Sequence, residues 1–451
     1  MRHVDQRTEA RAAASAATKF GMASGAPADR APPRHWYADA LRGVLPVSTA
    51  ESEVGEAMSW PQVPPLAELH SRRSEKWDGY DPDVVVATIA EMDFCLDPLI
   101  AAALHSAIDR HDLGYAHERI PALAEAFAGF AARRLNWRVD PAQVRLIPDV
   151  MLGILELSRL LAGRGGSVAL ATPAYPPFLA ELPAVGLTVR QLALLPDGAV
   201  DLDALTVELD RGTRVVVLAN PHNPTGRVLP RVELTQIAEM CAERCAFVIA
   251  DEIHGPLVLP GADYTPWLEV SDAARDCGVA LTSASKAFNL AGLKAALLVT
   301  GSAGTRAAVS RLLPLGEHAG LLGVIAGEVA FTSGDTWLDG VLAQLDANRA
   351  LLQRLLPLEL PAVVWTPPQA TYMAWLDCRG LQLGDDPAAT MLRRGRVVLS
   401  SGVQYGDAGA GHVRLNFGTS AELVAEIVHR MAASVPDTSA SSKHRRGEIC
   451  G

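Results

Sequence analysis

Lysine is nearly missing from this chain. Of the 40 basic residues among 451, five are lysine, at positions 19, 76, 286, 294 and 443. A composition that avoids lysine this strongly draws attention to the two that fall close together, Lys286 and Lys294. Positive charge as a whole is also in deficit, with a formal net charge of −11 at pH 7 and a pI near 5.6. That argues against a phosphate-backbone groove spread over the protein, so no nucleic-acid partner is expected, while a local basic pocket is still allowed. Cysteine is sparse: the six, at 95, 241, 245, 277, 378 and 450, contain no CxxC pair. Cys241 and Cys245 lie a helical turn apart but have no further ligands near them in the sequence. They are expected to pack in the core rather than to hold a metal, and the pattern fits a reduced, cytoplasmic protein. No window reaches about 18 uninterrupted apolar residues, so no membrane span is expected. The first 35 residues lack the apolar stretch of a secretory signal.

What the chain does have is apolar residue, 49% of the total with a mean hydropathy of +0.14. That suffices for a large core, and the length suits a large α/β domain with a smaller partner. Residues 1–60 are rich in Ala, Pro and Gly without periodicity and are expected to be a disordered extension, as is the tail at 436–451. Between them, short β-branched runs ("QVRLIP", "GSVALA", "TVRQLAL", "RVVVLAN", "FVIADE", "VALTSAS", "AALLVTG") alternate with helical stretches. Continuous apolar strands separated by helices predict a mostly parallel sheet buried on both faces. From about residue 346 the pattern changes to a long helix followed by "AVVWTPPQATYMAWLD", "RVVLSSGVQYG" and "HVRLNFG", which predicts a smaller α+β domain. The expected division is 61–104 with 346–435 for the small domain and 105–345 for the large one.

In such a sheet, ligands sit beyond the carboxyl ends of the strands. The segments found there are "TPAYPPF", "NPHNPTG", "DEIH" and "SASK". In "SASK", Lys286 follows a strand and two serines. A lysine so placed can form a Schiff base with a carbonyl compound, and Ser283 and Ser285 can donate to a phosphate; a surface loop with a solvated lysine is the other reading. In "NPHNPTGRV", each proline fixes φ and disfavours helix before it, so a rigid loop aims the Asn223 amide at one point. Tyr175 could cover the face of a flat ring or simply fill the core. Arg414, in "VRLNFG", offers a planar guanidinium to a carboxylate or to a surface ion pair.

Together these blocks resemble the fold-type I pyridoxal-phosphate enzymes of the class I/II aminotransferase superfamily, from about Arg72 to about Ala433. The resemblance implies the α/β fold of PLP-dependent transferases, with a mostly parallel seven-stranded sheet plus a smaller α+β domain. It implies pyridoxal 5'-phosphate as cofactor, carried on Lys286, which also moves the Cα proton. Asp251 is then the partner of the ring nitrogen, Asn223 hydrogen-bonds the ring oxygen and Tyr175 stacks on the ring. Ser283 and Ser285, with the N–H groups around Val150 and Met151, hold the phosphate. Lys294 stands where many members have arginine. Tyr115, in "LGYAHER", matches a tyrosine that reaches the phosphate from the neighbouring subunit, which implies a homodimer with shared active sites. Arg414 holds the α-carboxylate of a small amino-acid substrate.

"EKWDGY", "AEMDF", "DEIH", "SASKAFNLAGL" and "ATYMAWLD" resemble more narrowly the cystathionine β-lyase and cystalysin-type C–S lyases. Many aminotransferases have tyrosine where His254 stands beside the ring oxygen. Glu91 replaces the usual Asp of "AEMDF", and "SSG" at 400–402 replaces the common Pro-Gly. The expected reaction is β-elimination from cystathionine or a cysteine S-conjugate. An aminotransferase is the nearer alternative and a regulatory protein that keeps the fold the farther one. Glu252, beside Asp251, is expected to be structural.

Overall fold

The computed structural model describes residues 61–312 and 315–436. The two segments expected to be disordered, 1–60 and 436–451, lie outside the described residues except for Pro436.

The seven β-branched runs become one sheet: β1 (Val144–Ile147), β2 (Ser167–Thr172), β3 (Thr188–Ala193), β4 (Val215–Ala219), β5 (Phe247–Asp251), β6 (Gly278–Thr282) and β7 (Ala296–Thr300). The spatial order is β1-β7-β6-β5-β4-β2-β3, with β7 antiparallel to both neighbours and every other pairing parallel. Every residue of β6 and β7 is buried, as a central strand covered on both faces requires. Helix α1 (Val150–Ala162) lies on one face and buries Ile154 and Leu157 in a core shared with Val217, Ile249, Leu281 and Leu298. Each such side chain contributes roughly 1.5–3 kcal/mol when fully buried. The helix comes close because Gly153 has no Cβ: one added there would sit 2.6 Å from Ile147 Cδ1. Asp149 caps the helix start, accepting from Leu152 N at 2.7 Å.

A second sheet, antiparallel, holds β8 (Val364–Trp365), β9 (Met373–Asp377), β10 (Ser400–Ser401) and β11 (His412–Asn416) in the order β10-β11-β9-β8. The long helix before it begins at Asp335, earlier than the sequence pattern suggests, and runs to Glu359. The N-terminal part of the described chain returns to this region, where Val85–Val86 pairs with Val397–Val398. One cysteine expectation fails: Cys241 is buried, but Cys245 lies past the helix end at Glu243, in a left-handed conformation (φ 52°), and is exposed. Among the described residues no helix is long and apolar enough to cross a membrane. No group of three His, Cys, Asp or Glu among them could hold a metal ion.

Candidate active site

The carboxyl ends of β4, β5 and β6 deliver three polar residues to one place. β5 ends on Asp251, whose Oδ1 accepts from Ile253 N at 3.2 Å. Burial pushes its carboxyl up to about 6, against the pull of the nearby Lys286 amine. The loop after β4 is closed on itself: His222 N donates to Arg227 O at 2.8 Å and Gly226 N to His222 O at 2.7 Å. His222 and Thr225 also bond through their side chains at 2.8 Å. This rigid loop carries Asn223, buried, toward the second sheet. After β6, Ser283 caps the short helix Ala284–Ala287, and Lys286 projects from it. Lys286 Nζ donates to Ala90 O at 3.0 Å. Burial, and then the positive charge of Arg414, lower this amine to about 8.

These groups line a cavity of about 140 Å³. Tyr175 and His254 form part of its wall. Tyr175 packs edge-on against Phe178, and burial pushes its hydroxyl up to about 12, so it stays a phenol. His254 is buried, and its imidazole is lowered to about 3 by burial and by the charges of Lys286 and Arg414, so it is neutral at ordinary pH. Its Nδ1 has no partner among the described residues. At one end of the cavity stand Asp149, Val150 and Met151 at the start of α1, together with Ser283, Ser285 and Lys294. The two serines differ. Ser283 Oγ donates its proton to Ala295 O at 2.7 Å and accepts from Ser285 N at 3.0 Å, so it has no proton left for a phosphate. Ser285 Oγ makes no hydrogen bond with a described residue, and of the two it is the available donor. Lys294 Nζ lies 3.3 Å from Asp149 Oδ2.

Arg414 comes from β11 and meets Asn223 across the two sheets: Nη1 donates to Asn223 Oδ1 at 3.0 Å and Nη2 to Ser400 Oγ at 3.3 Å. The guanidinium lies 5.3 Å from the Tyr405 ring and is 4% exposed. Tyr115 is 94% exposed, and within one chain it is not part of the cavity.

Several contributors lie in motifs read from the sequence, but their contacts were not legible there. Ala90 lies in the wall of the site, and the segment around it, 88–93, is pinned from several sides. Asn416 Nδ2 donates to Ile89 O and Glu91 O, each at 2.7 Å, and Asn289 bonds Met92 at both N and O. Tyr372 OH donates to Ala90 O at 2.9 Å, the carbonyl that Lys286 also uses. A buried ion pair, Lys76 Nζ to Asp93 Oδ1 at 2.7 Å, anchors the far end with a bond from Trp77 Nε1. "EKWDGY" and "AEMDF" were legible as motifs, but the pairing between them needs three-dimensional proximity. Glu252 turns inward beside Tyr264 and accepts from Trp267 N at 2.5 Å, a structural placement.

The donor set fits one kind of cofactor. An amine of lowered pKa, a buried carboxylate, an amide, an aromatic face and a helix start with free N–H groups match an aldehyde, a ring nitrogen, a ring oxygen, a flat ring and a phosphate respectively.

Known proteins resemble this chain along most of its described length. The sequence model of the aminotransferase class I and II family matches residues 88–431. A Mycobacterium tuberculosis protein provisionally named a cystathionine β-lyase is 42% identical over 401 residues, covering 82% of this chain and 97% of its own. Cystathionine β-lyase PatB of Bacillus subtilis is 32% identical, covering 80% of this chain and 97% of its own. Among solved structures, a Corynebacterium diphtheriae protein provisionally described as a PLP-dependent β-cystathionase superposes with a TM-score of 0.79 at 32% identity, covering 83% of this chain and 99% of its own. Cystalysin of Treponema denticola, at 23% identity and a TM-score of 0.75 over 80% of this chain and 95% of its own, shares the fold.

Proposed function

Because this chain belongs to the class I and II aminotransferase family, we propose that it is a pyridoxal-phosphate-dependent carbon–sulfur β-lyase acting on cystathionine or cysteine S-conjugates. One observation carries the reading: Lys286 and Asp251 share a cavity in a chain that matches cystathionine β-lyases along nearly their whole length. Pyridoxal 5'-phosphate is the cofactor, and when bound its ring supplies the sink for the electron pair left when a Cα proton is removed. Lys286 would hold it, with Asp251 at the ring nitrogen, Asn223 and His254 at the ring oxygen and Tyr175 on the ring face. The first N–H groups of α1, Ser285 and Lys294 would take the phosphate.

The chain's own residues then act as follows. Arg414 clamps the substrate α-carboxylate through a guanidinium already oriented by Asn223 and Ser400. This would fix Cα beside Lys286, whose amine is freed to accept a proton once the substrate amine has replaced it on the cofactor. The Cα–H bond breaks and the proton passes to Nζ. The Cβ–S bond then breaks, sulfur leaves as thiolate, and the three-carbon remainder hydrolyses to pyruvate and ammonia. Neutral His254 brings no second positive charge to the ring oxygen.

We further propose a homodimer in which Tyr115 of the partner subunit reaches the phosphate end, and a cytoplasmic role in methionine biosynthesis. The test is a competition. With an S-alkyl cysteine and a 2-keto acid supplied together, a lyase releases thiol and leaves the keto acid untouched. An aminotransferase consumes the keto acid and releases no thiol.

A further inference from the structure

At the phosphate end of the cavity a carboxylate stands where an anion is to be bound. Asp149 Oδ1 is fixed by Leu152 N at 2.7 Å, and Oδ2 faces Lys294 Nζ at 3.3 Å. Both residues line the cavity. The backbone of Lys294 is pinned: it adopts a left-handed φ of 55°, and its carbonyl accepts from Gly320 N at 2.8 Å. Only its side chain is left to choose between Asp149 and an incoming phosphate. Among the described residues, the other positive features of this end are the N-terminus of α1, which Asp149 itself caps, and Lys286, whose amine would carry the cofactor's aldehyde rather than its phosphate. Ser283 is occupied by Ala295.

We infer that Asp149 is a resident anion that competes with the cofactor phosphate for Lys294 and for the start of α1, and so holds cofactor affinity below what the same cup could give. The inference rests on the cofactor reading above. Two physical points support it. Asp149 is not needed as a charge to cap the helix, because asparagine and serine cap as well as aspartate. And a carboxylate close to a phosphate repels it, while its pair with Lys294, side chains 34% and 60% exposed and so partly screened by water, offsets the flexible cation that the described residues place there. The consequence is a holoenzyme that exchanges its cofactor readily and that free phosphate inhibits weakly.

The experiment is equilibrium dialysis of the full chain, stripped of cofactor, against pyridoxal phosphate, pyridoxal and inorganic phosphate. Asp149→Asn should bind pyridoxal phosphate about fivefold or more tighter than wild type, with a parallel gain for inorganic phosphate. Pyridoxal, which lacks the phosphate, should be unaffected, and the gain should shrink at high ionic strength. Asp149→Ser, which also keeps a cap, should behave alike, and thermal melting of both cofactor-free variants checks their folding. Unchanged or weaker pyridoxal phosphate binding in both folded variants overturns the inference while the cofactor reading stands. If wild type binds no pyridoxal phosphate, the cofactor reading fails and this inference fails with it.

Discussion

Arg414 Nη1 donates to Asn223 Oδ1 at 3.0 Å, joining the small antiparallel sheet to the loop after β4. The bond turns the Asn223 amide so that Nδ2 is left for the ring oxygen, and it holds the guanidinium where a carboxylate can meet it. A hydrogen bond to a charged group contributes about 1.5–3 kcal/mol, or roughly 10- to 150-fold in an equilibrium. Asn223→Ala should therefore raise KM and lower kcat/KM by about that factor, measured in steady-state kinetics, and should also lower Tm, because buried Arg414 loses a partner. An unchanged KM would separate Asn223 from substrate binding.

The Lys286 amine titrates at about 8 in the cofactor-free chain, well below an ordinary lysine, because burial and Arg414 disfavour its charge. Only the neutral amine attacks an aldehyde. Cofactor attachment should thus accelerate as pH rises and level off above about 8, with roughly a tenth of the amine neutral at pH 7. Glu91 works in the opposite direction on this amine. Glu91→Gln should move the limb to lower pH, read by rapid mixing with pyridoxal phosphate across a pH series.

Glu252 carries a carboxyl raised to about 8 by burial. In the fold it keeps a proton that the unfolded chain loses near its ordinary value of 4.5. Its contribution to stability is therefore full below about 4.5 and is lost as pH rises through about 8. Glu252→Gln removes this dependence. Between pH 5 and pH 9 the cofactor-free variant should lose less Tm than wild type, by on the order of a few degrees in calorimetry.

Lys76 and Asp93 form a buried pair, with side chains 1% and 2% exposed. Removing one partner strands the other charge, which costs about 3–5 kcal/mol. Lys76→Met should destabilise by that amount in chemical denaturation. It should also loosen cofactor binding, because Lys76 Nζ donates to Glu91 O, next to the carbonyl that holds Lys286.

The sequence pattern made the large sheet legible because the inner β-branched runs are buried on both faces and bounded by turn residues, while the edge strand β3 is largely exposed. Its strand-end segments pointed to Asp251, Asn223 and Lys286, and the structure brings these three together around one cavity. Arg414 was harder. Its strand lies nearly two hundred residues from Asn223, and only the packing of two sheets makes them neighbours. The distinction between Ser283 and Ser285 was not legible at all, since it depends on which hydroxyl proton Ala295 captures. The clamp on segment 88–93 was hidden for a similar reason. Asn289, Asn416 and Tyr372 reach it from three distant parts of the chain; each lies in a motif read from the sequence, but their convergence on one segment is not written there. Cys245 misled because helical spacing was extended two residues past the end of its helix.

The most direct test incubates the purified holoenzyme with L-cystathionine and follows pyruvate, ammonia and free thiol together, in wild type and in Lys286→Ala. The account predicts equal amounts of all three from wild type and none above background from the variant. Wild-type protein that moves the amino group to a keto acid without forming pyruvate, or a Lys286→Ala variant that still releases thiol, would contradict it.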